Sequence, residues 1–145
     1  YETYRYRGKK IILDGAHNPQ KLAALTAALH HDGIDTADWL FAMSHSADSK
    51  AADSLQVIAP TVRSMLCTNF LLGQDIRFKQ CVPADELAAL ARTAGCTDVR
   101  VASELHDALD DALESSGNTL VIAGSLYFVS LLRPYLRDKV GHMAT

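Results

Sequence analysis

Lys10-Ile11-Ile12-Leu13-Asp14-Gly15-Ala16-His17-Asn18-Pro19 decides the fold. A short apolar run stops at an acid and a glycine, as a buried strand does at its end. Pro19 then suits the first turn of a helix, where its missing N–H is no loss. Leu22, Leu25 and Leu29 follow at i, i+3 and i+7, giving that helix an apolar stripe until Asp32-Gly33 ends it. His30 and His31 fall in the last turn, where imidazole suits the negative end of the dipole.

The same alternation recurs downstream. Residues 39–43 read as a second strand, 48–58 as a helix ended by Pro60, and 62–67 as a third strand. A loop covers 68–82, and Pro83-Ala84-Asp85-Glu86 opens a helix with its acids at the positive end. Residues 99–101 form a short strand, and Ser103 is placed to cap the helix carrying Leu105, Leu109 and Leu113. The most apolar strand is 118–123, and Leu126, Val129, Leu132 and Leu136 mark a last helix. Five strands alternating with helices predict an α/β fold: a doubly wound, mostly parallel sheet with ligands at the carboxyl ends of its strands. Residues 2–8 alternate and suit an added antiparallel edge strand.

Size and charge narrow the function classes. The chain has 145 residues, 48% hydrophobic, which is the expectation for one globular domain spanning 1–145. Its net charge of −3 offers no electrostatic reason for a nucleic acid or anionic membrane partner, and Tyr4, Arg5, Tyr6, Arg7, Lys9 and Lys10 read as an edge strand or as a surface facing further domains instead. No apolar run has the length of a membrane span. Cys67, Cys81 and Cys96 are odd in number, far apart and without C-x-x-C spacing, so they read as buried thiols of a reducing compartment, and the cytoplasm is expected.

Chemistry is expected in two strand-end loops. In Asp14-Gly15-Ala16-His17-Asn18-Pro19, Asp14 can accept hydrogen bonds from ribose hydroxyls, while His17 and Asn18 stand beside a helix N-terminus that favours an anion. The same residues also suit a plain turn capped by Asp14 or Asn18, and both readings stay open. In Gly124-Ser125-Leu126-Tyr127, Gly124 permits a tight turn and Ser125 is placed as a cap with a free hydroxyl at the mouth of the sheet. Neither G-x-G-x-x-G nor G-x-x-x-x-G-K-[ST] occurs, so a phosphate-gripping loop is missing. Glu104, Asp107, Asp111 and Glu114 share a helical face that reads as solvated, and no metal site is expected.

Together, Ile11-Ile12-Leu13-Asp14-Gly15-Ala16-His17-Asn18-Pro19 and Val121-Ile122-Ala123-Gly124-Ser125-Leu126-Tyr127 resemble the C-terminal, Rossmann-like domain of folylpolyglutamate synthase and dihydrofolate synthase in the Mur ligase superfamily. The order of elements between them fits over nearly the whole chain. The resemblance implies an ATP- and Mg2+-dependent ligase that activates a folate or dihydropteroate carboxylate as an acyl phosphate, which L-glutamate then attacks. It implies that the phosphate loop, the metal ligands and the catalytic residues lie in an N-terminal ATP-binding domain of the same protein. By resemblance Asp14 holds the ribose or adenosine of ATP, His17 with Asn18 positions nucleotide or glutamate, and Ser125 binds near the glutamate carboxylate.

Two departures stand out. By resemblance Glu2 stands for the glutamate that follows a hinge glycine-arginine pair in relatives, so that arginine is expected upstream of Tyr1 and the chain is expected to be a piece of a longer protein. The loop Ser44-His45-Ser46-Ala47-Asp48-Ser49-Lys50 replaces a lysine-aspartate pair of relatives, which leaves that loop without an assigned role. The competing readings are a Mur-type ligase domain for another amino acid and a free-standing, non-catalytic α/β ligand-binding module.

Overall fold

Arg7 and Gly8, at φ 50° and 82°, turn the chain between β1 (Glu2–Tyr6) and β2 (Lys9–Leu13), which pair antiparallel. Two consecutive residues at positive φ match the right-handed twist of the strands they join. The computed structural model describes residues 1–46, 49–70 and 81–140. After β2 come α1 (Pro19–His31), β3 (Ala37–Phe41), α2 (Ala51–Ile58), β4 (Val62–Thr68), α3 (Ala84–Thr93), β5 (Val99–Ala102), α4 (Leu105–Leu113), β6 (Thr119–Ala123) and α5 (Leu126–Val140). The sheet order is β1-β2-β6-β3-β4-β5, parallel at every pairing except β1 with β2.

Alternate residues of the strands feed two separate cores. Ile12, Trp39, Phe41 and Val121 pack under α1, α2 and α3, while Ile11, Leu13, Leu40 and Ile122 pack under α4 and α5. The sheet is therefore doubly wound, with the long runs of buried residues that a two-sided parallel sheet requires. Tyr4, fully buried against the second core, makes β1 a structural edge, and the Lys9 ammonium turns inward to the carbonyls of Ser115 and Gly117. Of the basic-aromatic patch, Tyr4 and Lys9 are thus folded into the protein, while Arg5 and Arg7 stay exposed.

Four sequence expectations shift. β3 begins at Ala37 and ends at Phe41, not at 39–43, because Asp38 is no loop residue: it is 2% exposed and takes hydrogen bonds from Arg63 Nη1 (2.7 Å), Ser64 Oγ and the Gly117 N–H (3.0 Å). Burial pushes its carboxyl up, but those donors and the guanidinium charge outweigh burial and hold it below the usual carboxylate range. The cap of α4 is Glu104 and not Ser103; Glu104 Oε2 accepts from the Asp107 N–H at 2.7 Å. The second helix starts at Ala51, with Lys50 at φ 45° as its cap; the start expected at Asp48, most of the 68–82 loop and the tail after 140 lie outside the described residues. Pro83 is the cap of α3, one place earlier than a first-turn proline.

The three cysteines are free thiols. Burial pushes Cys67 up to about 12, so it stays protonated and inert.

Candidate functional site

At β2 and β6 adjacent strands lead to helices on opposite faces of the sheet. β2 runs into α1 on the first face and its neighbour β6 runs into α5 on the second, so the chain parts at their carboxyl ends and opens a crevice there. The two loops singled out by sequence are the walls of that crevice. They are also joined: the Asp14 N–H donates to Ile122 O and the Gly124 N–H to Ala16 O, both at 3.0 Å.

Close approach sets the residue types. Gly124 sits at φ 118°, and a Cβ there would run into the backbone carbonyl of Ala42. At Gly15 a Cβ would meet only the Leu126 side chain, which is 56% exposed and able to move. Asp14 Oδ1 accepts from the Ala16 N–H at 2.8 Å, and Oδ2 lies 3.1 Å from the Tyr1 main-chain nitrogen. Asn18 caps α1 through Oδ1, which accepts from the Lys21 N–H at 2.8 Å, so the capping reading holds for Asn18. Its Nδ2 has no partner among the described residues.

His17 Nδ1 lies 3.0 Å from Gly15 O. A carbonyl only accepts, so Nδ1 carries the proton, and in the neutral form of the ring Nε2 is the acceptor. Ser125 is the N-cap of α5 and is 1% exposed; its Oγ accepts from the N–H groups of Tyr127 (3.2 Å) and Phe128 (3.4 Å) and lies 3.0 Å from Ser44 Oγ. The hydroxyl expected to be free is therefore engaged, and Ser44 joins the mouth of the sheet from the end of β3.

A cleft of about 350 Å3 lies here, lined by Asp14, Gly15, Ala16, His17, Lys21 and Leu126 among others. Lys21 is a residue that the sequence reading missed. It stands in the first turn of α1, at the positive end of the dipole, and has no ion-pair partner among the described residues. Its signal was its place three residues after the cap and off the Leu22-Leu25-Leu29 stripe. Neither α1 nor α5 has an acid in its first turn, so two helix N-termini and Lys21 make this end of the sheet favourable to anions.

A larger cavity of about 440 Å3 lies between the end of β4, α4 and α5. Some of its polar groups are engaged, since Glu104 Oε1 lies 2.7 Å from His106 Nδ1 and Asn69 Oδ1 accepts from the Ala84 N–H at 2.9 Å, while His106 Nε2 is buried without a hydrogen-bond partner among the described residues. The first cleft is the better candidate. Among the described residues no group of three or more His, Cys, Asp or Glu side chains could hold a metal ion, and no helix is long and apolar enough to cross a membrane.

Sheet order and helix placement define a doubly wound α/β domain with a candidate crevice at its switch point. Residues 1–136 match the family profile of the dihydrofolate synthetase C-terminal domain, and the chain belongs to that family. Its fold is shared with a bifunctional folylpolyglutamate synthase/dihydrofolate synthase from Yersinia pestis CO92 (TM-score 0.70, 19% identical, 92% of this chain, 30% of that one). It is shared too with Mycobacterium tuberculosis folylpolyglutamate synthase complexed with ADP (0.72, 23%, 99%, 32%) and with E. coli FolC in complex with DHPP and ADP (0.71, 18%, 93%, 30%). Another such bifunctional synthase structure holds Mn, AMPPNP and L-glutamate (0.70, 20%, 92%, 30%). The chain thus spans about a third of the length of the structures it matches. No curated protein sequence gives a significant match.

Proposed function

We propose that this chain is the nucleotide-covering, glutamate-receiving domain of an ATP-dependent folate–glutamate ligase. The single observation that carries the reading is the junction of the Asp14–Asn18 and Gly124–Ser125 loops at the switch point, in a chain of the dihydrofolate synthetase family. Relatives of this fold bind ADP, DHPP or L-glutamate, which supports the same ligand classes here.

In this reading the residues act by position and charge. Asp14, with about two of its four lone-pair sites committed, accepts from the ribose hydroxyls of ATP. Lys21 and the α1 N-terminus face anionic oxygen. His17 Nε2 accepts a hydrogen bond from the amino group of the incoming glutamate, and Asn18 Nδ2 donates to a neighbouring oxygen. The α5 N-terminus, which Ser125 caps, attracts the carboxylate. ATP supplies the phosphoryl group that activates the folate or dihydropteroate carboxyl. The phosphate loop and the Mg2+ ligands belong to an upstream domain of the same protein, and the cytoplasm is its place of work. Alone, this chain catalyses no ligation.

The test uses the full-length protein. His17→Ala is expected to raise KM for ATP or glutamate or to lower kcat about tenfold or more, the scale of one lost hydrogen bond to a charged group. Far-ultraviolet circular dichroism should show the variant folded. Wild-type kinetics in both His17→Ala and Ser125→Ala would leave these residues as caps and turns only, and activity with a cell-wall precursor instead of a folate would assign the chain to a Mur-type ligase.

A further inference from the structure

The described residues hold two buried side-chain polar atoms without a hydrogen-bond partner, His106 Nε2 and Thr68 Oγ1. Such atoms are rare in a folded chain, because each has given up its bond to water for nothing. Both stand by one place, the cavity of about 440 Å3 between the end of β4, α4 and α5. His106 lines it, and Thr68, fully buried, directly precedes the lining residues Asn69 and Phe70.

The surroundings of His106 fix what it needs. Its Nδ1 lies 2.7 Å from Glu104 Oε1, and the Asp107 N–H and the His106 ring hold the Glu104 carboxyl below its ordinary range. An ionised carboxylate only accepts, so Nδ1 carries the proton, and in the neutral form of the ring Nε2 is an unfilled acceptor. Tyr135 packs edge-on against the imidazole, with ring centroids 4.0 Å apart. At 48% exposure, Tyr135 is the wall that can turn aside and open Nε2 to the cavity. The rest of the lining sets the body of the ligand. Phe70, Leu105, Leu131 and Tyr135 suit a flat apolar ring. Glu104 lines the cavity and, among the described residues, no lysine or arginine does, so an anion is repelled.

We propose that this cavity is a second binding site, for a flat, uncharged or cationic aromatic compound that donates an N–H to His106 Nε2. It shares no lining residue with the first cleft, and the assignment stands apart from the ligase reading.

The probes are indole, 1-methylindole and indole-3-carboxylate, titrated into the full-length protein at pH 8 and followed by ligand-detected NMR. Indole is expected to bind, and 1-methylindole, which lacks the N–H, to bind about tenfold more weakly. Indole-3-carboxylate should also bind more weakly than indole. His106→Phe keeps a ring and removes the acceptor, so it should erase the difference between indole and 1-methylindole. Leu131→Trp fills the cavity and should abolish the binding of both. Equal affinity of the unmutated protein for indole and 1-methylindole, or tighter binding of the carboxylate than of indole, overturns the assignment. So does indole binding that survives Leu131→Trp, or no indole binding up to its solubility limit. Should His106→Phe fail to fold, the indole pair on the unmutated protein still decides. None of these outcomes bears on the ligase reading, which His17→Ala tests separately.

Discussion

Lys21 and Asp38 place charge where local rules oppose it, for different reasons. Lys21 puts a cation at the positive end of α1, unpaired among the described residues, which a purely structural residue would gain nothing from. Lys21→Gln is expected to raise stability by about 0.3–1 kcal/mol in urea denaturation while weakening anion binding at the cleft. Loss of stability in that variant would show that Lys21 serves the fold. Asp38 is buried at the opposite end of the sheet, bonded to Arg63, Ser64 and Gly117. Its folded pKa is depressed, so the unfolded chain binds the proton more readily. The stabilisation is complete above the ordinary value of about 4 and disappears as pH falls through the folded value. Asp38→Asn should therefore lower stability at pH 7 by about 1–3 kcal/mol, and by less at acid pH, where the native carboxyl is itself neutral. An equal loss at both pH values would sink the electrostatic account. Residue types alone pointed to Asp14, His17, Asn18 and Ser125, because acid, imidazole and amide in a strand-end loop are unusual for a connector. They could not show that Ser125 Oγ is already filled, since its partner Ser44 lies 81 positions away.

The elements meet most tightly where β6 turns into α5. Gly124 has both a positive φ and the Ala42 carbonyl against its missing side chain, while Gly15 faces only the movable end of Leu126. Gly124→Ala is expected to cost about 2–4 kcal/mol through strain and a backbone clash, whereas Gly15→Ala should cost under about 1 kcal/mol. Similar losses in both, by thermal or urea unfolding, would contradict the distinction. Helices α1 and α5 were readable because their apolar stripes follow the helical period. The bounds of β3 were not, since Ala37 and Asp38 look like loop residues until Arg63 and Gly117 are brought beside them. Glu104 was passed over as a cap for a related reason: Ser103 has the better intrinsic preference, and only the start of α4 at Leu105 decides between neighbours.

Across the whole molecule, two cores share one sheet, so neither can be lost while the other stands. Leu22→Ala in the first core and Leu132→Ala in the second should each cost about 2–5 kcal/mol and shift one common urea transition. The check is simple, because Trp39 is the only tryptophan and is buried in the first core: its fluorescence and the far-ultraviolet circular dichroism should coincide in both variants. Separate midpoints would mean the faces unfold independently. The sequence by itself determined the alternation of strands and helices, the two-sided burial and the two loops at strand ends, because periodicity and turn chemistry act over a few residues. Only the tertiary structure decided that β6 inserts between β2 and β3, joining residues 14–18 to 123–125 and Ser44 to Ser125. That choice depends on which strands pair at long range, and pairing between distant strands leaves no local mark in the chain.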